Sequence, residues 1–184
     1  LAYTTHDLDD GLRSGMITPQ MLDGIALWEI LTDTYNWSSP LLQDLERHRM
    51  IRKLVGLLVT DMIQATDVRL KESGVKSALD IQRLTFNIIG YCEDMQRRNR
   101  ELKDFLYNKL YRHFRVVRMQ VKAEQIIADL FAAYRAEPLI LPDHVQQWIP
   151  GRGLERTICD YIAGMTDRYA IEEHARLHDP YLKP

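Results

Sequence analysis

The sequence has 184 residues, with 24 Lys and Arg against 26 Asp and Glu and a net charge of −2. A chain of that length is one domain or part of a larger one, and 46% hydrophobic with 27% charged residues excludes a disordered, collagen-like or disulfide-dense polypeptide. Near-neutrality gives no global attraction to nucleic acid or acidic membranes, so any such binding has to come from a local patch.

In chain order, the first segment is LAYTTHDLDDGLRSG. Read as a helix, it places Tyr3, His6, Asp7 and Asp10 at i, i+3, i+4 and i+7 on one face, with Asp9 to the side. Phenol and imidazole donate to phosphate oxygens, and a carboxylate accepts from a sugar hydroxyl, so this face suits a polar ligand. The same spacing also describes an exposed polar face closed by Gly11 or Gly15.

Ser38-Ser39-Pro40 offers a serine cap and a proline at the first helical position. The stretch from Leu41 to Thr66 then reads as an amphipathic helix, because Ile51, Leu54, Val55, Leu58, Val59, Met62 and Ile63 recur at helical spacing. Gly74 falls in the break after it. Near its start, Arg47 and Arg49 are candidate phosphate contacts, and His48 reads as a surface histidine. Asp61, beside the apolar stripe, calls for a partner such as an arginine from another helix.

A second long helical stretch runs from Ile81 to Phe114 and is polar over Glu93–Lys103. Arg112, Arg115, Arg118 and Lys122 form a basic run that suits a polyphosphate, an effector nucleotide or single-stranded nucleic acid. The alternative is a solvated face offset by Asp104 and Glu124. Val117–Tyr134 is helical by its Ala123, Ile126, Ile127, Leu130, Phe131 and Tyr134 face. The Pro- and Gly-rich span Glu137–Gly153 reads as a loop with a short helix at Asp143–Trp148.

Leu154, Ile158, Tyr161, Ile162, Met165 and Tyr169 mark the last main helix, on which Asp160, Asp167 and Arg168 read as packing residues. His174 and His178 sit beside a loose tail and form no metal spacing. No segment alternates like a strand, so the class is all-α. Cys92 and Cys159 lie far apart in sequence, which points to a reducing, cytoplasmic setting. No apolar run approaches the roughly 18–20 residues of a membrane span, and no signal peptide is visible.

Three blocks carry a family resemblance. LAYTTHDLDDGLRSG resembles the D-D-(I/L)-A-Y-x-x-H-D-(I/L)-x-D-(A/G) segment of the dGTPase-like deoxynucleoside triphosphate triphosphohydrolases of the HD-domain superfamily. LKDFLYNKLYRHFRV (Leu102–Val116) resembles that family's middle section, and CDYIAGMTDRYA (Cys159–Ala170) its C-terminal signature. The blocks stand in the family's order and span essentially the whole chain.

The resemblance implies a C-terminal portion of an HD-type helical bundle. Residues 1–36 would end the catalytic core, and 37–184 would complete the substrate pocket and oligomer contacts. The family's metal site takes its ligands from upstream of Leu1, so the divalent ion (Mg, Mn or similar) has no ligand in this chain, and a natural protein is expected to continue upstream. His6-Asp7 is not the pair that names the superfamily.

By resemblance, Tyr3 contacts the substrate phosphates and Asp7 the deoxyribose 3′-hydroxyl, with His6 and Asp10 in support. Water attacks the α-phosphorus of a deoxynucleoside triphosphate and triphosphate leaves. A homo-oligomer with no membrane partner is implied. The competing expectation is a non-catalytic helical module that binds nucleic acid or an effector nucleotide through its basic run.

Overall fold

A computed structural model describes residues 2–37, 39 and 42–182. Among them there is no strand, and the chain is all-α. It forms two compact units, Leu1–His113 and Phe114–Pro184. The division at 36/37 implied by the resemblance lies inside the first unit.

The first unit begins with α1 (Ala2–Arg13), a 3-10 turn (Pro19–Leu22) and α2 (Ala26–Tyr35). The helix α1 runs through Gly11 rather than ending there. Ile17 folds back, donating its N–H to the Gly11 carbonyl at 3.0 Å. A Cβ on Gly11 would lie 2.6 Å from Ile17 Cδ1, so glycine is what permits this close return. Gly15, with φ of +68°, supplies the reversal.

Helix α3 (Asp44–Ser73) is the longest element. Its expected Ser-Pro start falls partly outside the described residues, at Ser38, Pro40 and Leu41. The start is instead a capping box: Glu46 accepts the Gln43 N–H at 3.0 Å while the Gln43 side chain accepts from the backbone of Glu46. Gly74, in left-handed conformation, ends the helix as the sequence predicts. The core gathers Leu8, Ile17, Leu22, Leu27, Trp28, Leu31, Met50, Leu54 and Leu58 with Leu102, Leu106 and Leu110. Only the first half of α3 is drawn into it.

The expected helix over 81–114 is corrected. It is α4 (Ala78–Gln82), an irregular stretch, α5 (Glu93–Leu106) and a π-helical turn (Tyr107–Tyr111). Arg69 competes successfully against helix here. Its guanidinium donates to the carbonyls of Ile88 (3.3 Å), Gly90 (2.8 Å) and Tyr91. Asp61 accepts the Cys92 N–H at 3.0 Å, so its partner is a backbone amide rather than the anticipated arginine. Cys92 caps α5, its Sγ accepting from the Met95 N–H.

Replacing Arg69 with methionine keeps the stem and strands those carbonyls. The expected loss is about 2 kcal/mol, the scale of hydrogen bonds from a charged donor, read as a lower urea midpoint with unchanged helical circular dichroism.

The second unit holds α6 (Phe114–Ala136), a 3-10 turn (Pro138–Ile140), α7 (Asp143–Gln146), α8 (Ile149–Arg152), α9 (Leu154–Ala163) and α10 (Asp167–His178). Its core is Leu130, Tyr134, Leu141, Val145 and Ile158. The predicted last helix is two helices. Thr166 breaks it by capping α10, accepting the Tyr169 N–H at 3.2 Å. Asp160 and Asp167 therefore do not share a helix face. Asp160 binds Arg156 (2.8 Å) and Arg152 (3.3 Å), and Arg168 pairs with Glu172 at 2.9 Å.

His174 and His178 belong to the last turns of α10. Their rings stack at 4.3 Å, and His174 pairs with Asp129 of α6 at 2.9 Å. The His174 hydrogen bond, followed by that of Gln125, lowers the Asp129 carboxyl pKa. The buried Tyr134 donates to Glu173 at 3.0 Å. Burial first, and that bond second, push its phenol well above the ordinary range, so it remains a donor.

Candidate functional site

Helix α1 divides its polar residues between two surroundings. Leu8 and Thr5 anchor it in the core, which sets the outward register of the rest. Tyr3 and Asp7, one turn apart, line a cavity of about 360 Å³ with Thr4, Lys103, Asp104, Tyr107 and Tyr111. His6 and Asp10 share the helix face but lie outside this lining, and both are exposed. The structure thus unites two of the four residues that spacing put on one face.

Tyr3 is 85% exposed, so its phenol is not part of the core. Asp7 is half-buried and accepts the Tyr111 hydroxyl at 2.5 Å. That bond is the main reason the Tyr111 phenol pKa is raised, with desolvation second and the Asp7 charge third. The cavity therefore presents phenol and ammonium donors from Tyr3, Tyr107 and Lys103, with the carboxylates of Asp7 and Asp104 as acceptors and the Tyr111 hydroxyl committed to Asp7. Leu106 and the phenol rings supply the apolar part of the lining.

The other candidates fall elsewhere. Arg47 is buried, and its guanidinium is held by Asp9 of α1, with Asp44 at 3.3 Å and His48 Nε2 at 3.2 Å. Desolvation works against the charge, but the hydrogen bonds and charges of Asp9 and Asp44 outweigh it and raise the Arg47 pKa. As placed, Arg47 is an internal tie between α1 and α3. Arg49 is exposed on α3, and its carbonyl accepts the Tyr35 hydroxyl at 3.3 Å.

The basic run is split. Arg112 closes the π-helical turn at the end of the first unit, its N–H donating to the Tyr107 carbonyl at 3.1 Å. Arg115, Arg118 and Lys122 are exposed on α6 in the second unit. There the Arg115 and Arg118 guanidiniums lie 5.8 and 5.3 Å from the Phe114 ring centroid.

Spacing missed Asp9, Lys103, Tyr107 and Tyr111. Asp9 was set aside because it leaves the shared face, which is what lets it reach Arg47. Tyr107 and Tyr111 stand four apart inside the quoted LKDFLYNKLYRHFRV block, a signal visible only once that block is placed opposite α1.

Among the described residues no group of three or more His, Cys, Asp or Glu side chains could hold a metal ion. No helix among them is long and apolar enough to cross a membrane.

Residues 89–176 match the phosphohydrolase-associated domain, which takes in α5, the π-helical turn and most of the second unit. A deoxyguanosinetriphosphate triphosphohydrolase-like protein of Geobacter sulfurreducens is 43% identical over 182 residues, 98% of this chain and 47% of its own length. A protein of the same description from Deinococcus deserti is 42% identical over 181 residues, again 98% and 47%. One from Deinococcus radiodurans is 39% identical over 177 residues, 96% and 48%. The chain spans about half the length of the relatives it matches.

Proposed function

Because the chain belongs with the C-terminal part of the deoxyguanosinetriphosphate triphosphohydrolase-like proteins, we propose that it supplies the substrate-holding wall of a metal-dependent deoxynucleoside triphosphate hydrolase. The observation that carries the reading is the shared cavity of Tyr3 and Asp7 on α1. One side chain donates and the other accepts, which are the two tasks a triphosphate on a deoxyribose sets.

In this reading the Tyr3 phenol donates to a phosphate oxygen, and the Asp7 carboxylate accepts the sugar hydroxyl. Lys103 offers a cation at the same cavity. The divalent ion of the proposal, Mg²⁺ or Mn²⁺, follows from the family resemblance, and no metal step is assigned to these residues. Arg47 is engaged by Asp9 and Asp44, exposed Arg49 stays a phosphate candidate, and the resemblance supports a homo-oligomer while the cysteine usage supports a cytoplasmic setting.

The test is incubation of the full-length protein with each of the four dNTPs and Mg²⁺ or Mn²⁺, followed by ion chromatography. Inorganic triphosphate should appear in step with free deoxynucleoside. Release of pyrophosphate or orthophosphate instead, or of nothing, overturns the reading. In the last case single-stranded DNA binding with a steep salt dependence favours the non-catalytic alternative.

A further inference from the structure

We propose that Tyr111 is a positioning residue, which aims the Asp7 carboxylate at a ligand hydroxyl and lends the site its preference for a ligand bearing one. The inference rests on the reading above, that Asp7 meets a sugar hydroxyl. It starts from a contact that joins two distant parts of the first unit: the Tyr111 hydroxyl donates to Asp7 Oδ2 at 2.5 Å.

A carboxylate on a helix surface turns about two side-chain bonds and presents either oxygen in several directions. A phenol fixed on the opposite wall removes that freedom. It occupies Oδ2, and among the described residues no hydrogen bond takes Oδ1, which leaves that oxygen as the acceptor Asp7 can offer in the cavity both residues line. A bond from O–H to a carboxylate is among the stronger protein hydrogen bonds, so the orientation is held before any ligand arrives.

The backbone supplies a second, independent observation. Tyr111 is the last residue of the π-helical turn Tyr107–Tyr111. Its wider register closes with Arg112 N–H on the Tyr107 carbonyl, five residues back. Tyr107 and Tyr111 open and close this turn, and both reach the cavity. Single π-helical turns recur at functional sites. Tyr111 is 47% exposed and Tyr107 59%, so core packing does not account for placing them there.

The experiment measures binding of dGTP and of 2′,3′-dideoxy-GTP to the full-length protein by titration calorimetry, with chelator present to prevent turnover. The wild-type protein should prefer dGTP by about tenfold, one charge-assisted hydrogen bond. Tyr111→Phe should lose most of that preference while keeping the wild-type affinity for the dideoxynucleotide. Combined with Asp7→Ala, Tyr111→Phe should have no further effect, because its action passes through Asp7.

A Tyr111→Phe protein that keeps the full preference overturns the positioning role and leaves the Asp7 assignment intact. Equal wild-type binding of the two nucleotides overturns the Asp7 assignment itself, and the inference with it. Weaker binding of both nucleotides by the same factor in Tyr111→Phe also overturns it, since a merely structural role has that effect.

Discussion

Replacing Arg47 with methionine lowers the stability of the protein by about 3 kcal/mol, the largest loss expected of any single polar substitution in the first unit. Arg47 is 5% exposed, and its partner Asp9 has a side chain 23% exposed. Methionine fills the stem volume and removes the charge, so Asp9 remains in a partly desolvated place with no counter-ion. Breaking a buried pair from one side costs several kcal/mol because the remaining charge is uncompensated. The Asp44 contact adds little, since that side chain is 87% exposed.

The measurement is urea unfolding followed by circular dichroism. Asp9→Asn should lose a comparable amount, because it leaves the more deeply buried Arg47 charge without its main counter-ion. A double variant, Arg47→Met with Asp9→Leu, should recover part of the loss. A midpoint for Arg47→Met within experimental error of wild type removes Arg47 from the structural account and returns it to the phosphate candidates.

That pair also shows where sequence reasoning stops. Helical periodicity correctly placed Tyr3, His6, Asp7 and Asp10 on one face of α1. It also placed α6, the end of α3 at Gly74 and the all-α class, since these depend on local spacing and capping. What distinguishes Tyr3 and Asp7 from His6 and Asp10 is the wall opposite, built by residues about a hundred positions later in the chain. No local pattern encodes that.

The missed break between α4 and α5 has the same origin. Polar, helix-favouring residues surround it, but Arg69 and Asp61 of α3 satisfy its backbone groups from across the unit, so helix is not needed to pair them. At Thr166 the converse applies. A capping side chain was legible there, and the apolar spacing from Leu154 to Tyr169 obscured it, because apolar residues of both short helices pack against one core and mimic a single helix.

Asp7→Ala in the full-length protein should cut kcat/KM for its preferred dNTP by about 100-fold, near 2.7 kcal/mol of transition-state binding, with a thermal midpoint close to wild type. The change removes the acceptor proposed for the sugar hydroxyl and leaves the Tyr111 phenol without its partner. Both groups border a cavity rather than the core, so water replaces the lost contacts and the fold is little affected. Tyr3→Phe should cost about tenfold, one donor to a phosphate oxygen. At 85% exposure its hydroxyl contributes nothing to packing.

The pattern across variants is what discriminates. Arg47→Met should lose stability, and activity only in proportion to the fraction unfolded. Asp7→Ala and Tyr3→Phe should lose activity at unchanged stability. Asp7 and Tyr3 variants that hydrolyse dNTPs at wild-type rates would show that the cavity between α1 and the π-helical turn is not where the nucleotide sits. Triphosphate release with that outcome would move the substrate to another wall of the enzyme, while leaving the family membership and the stability prediction for Arg47 untouched.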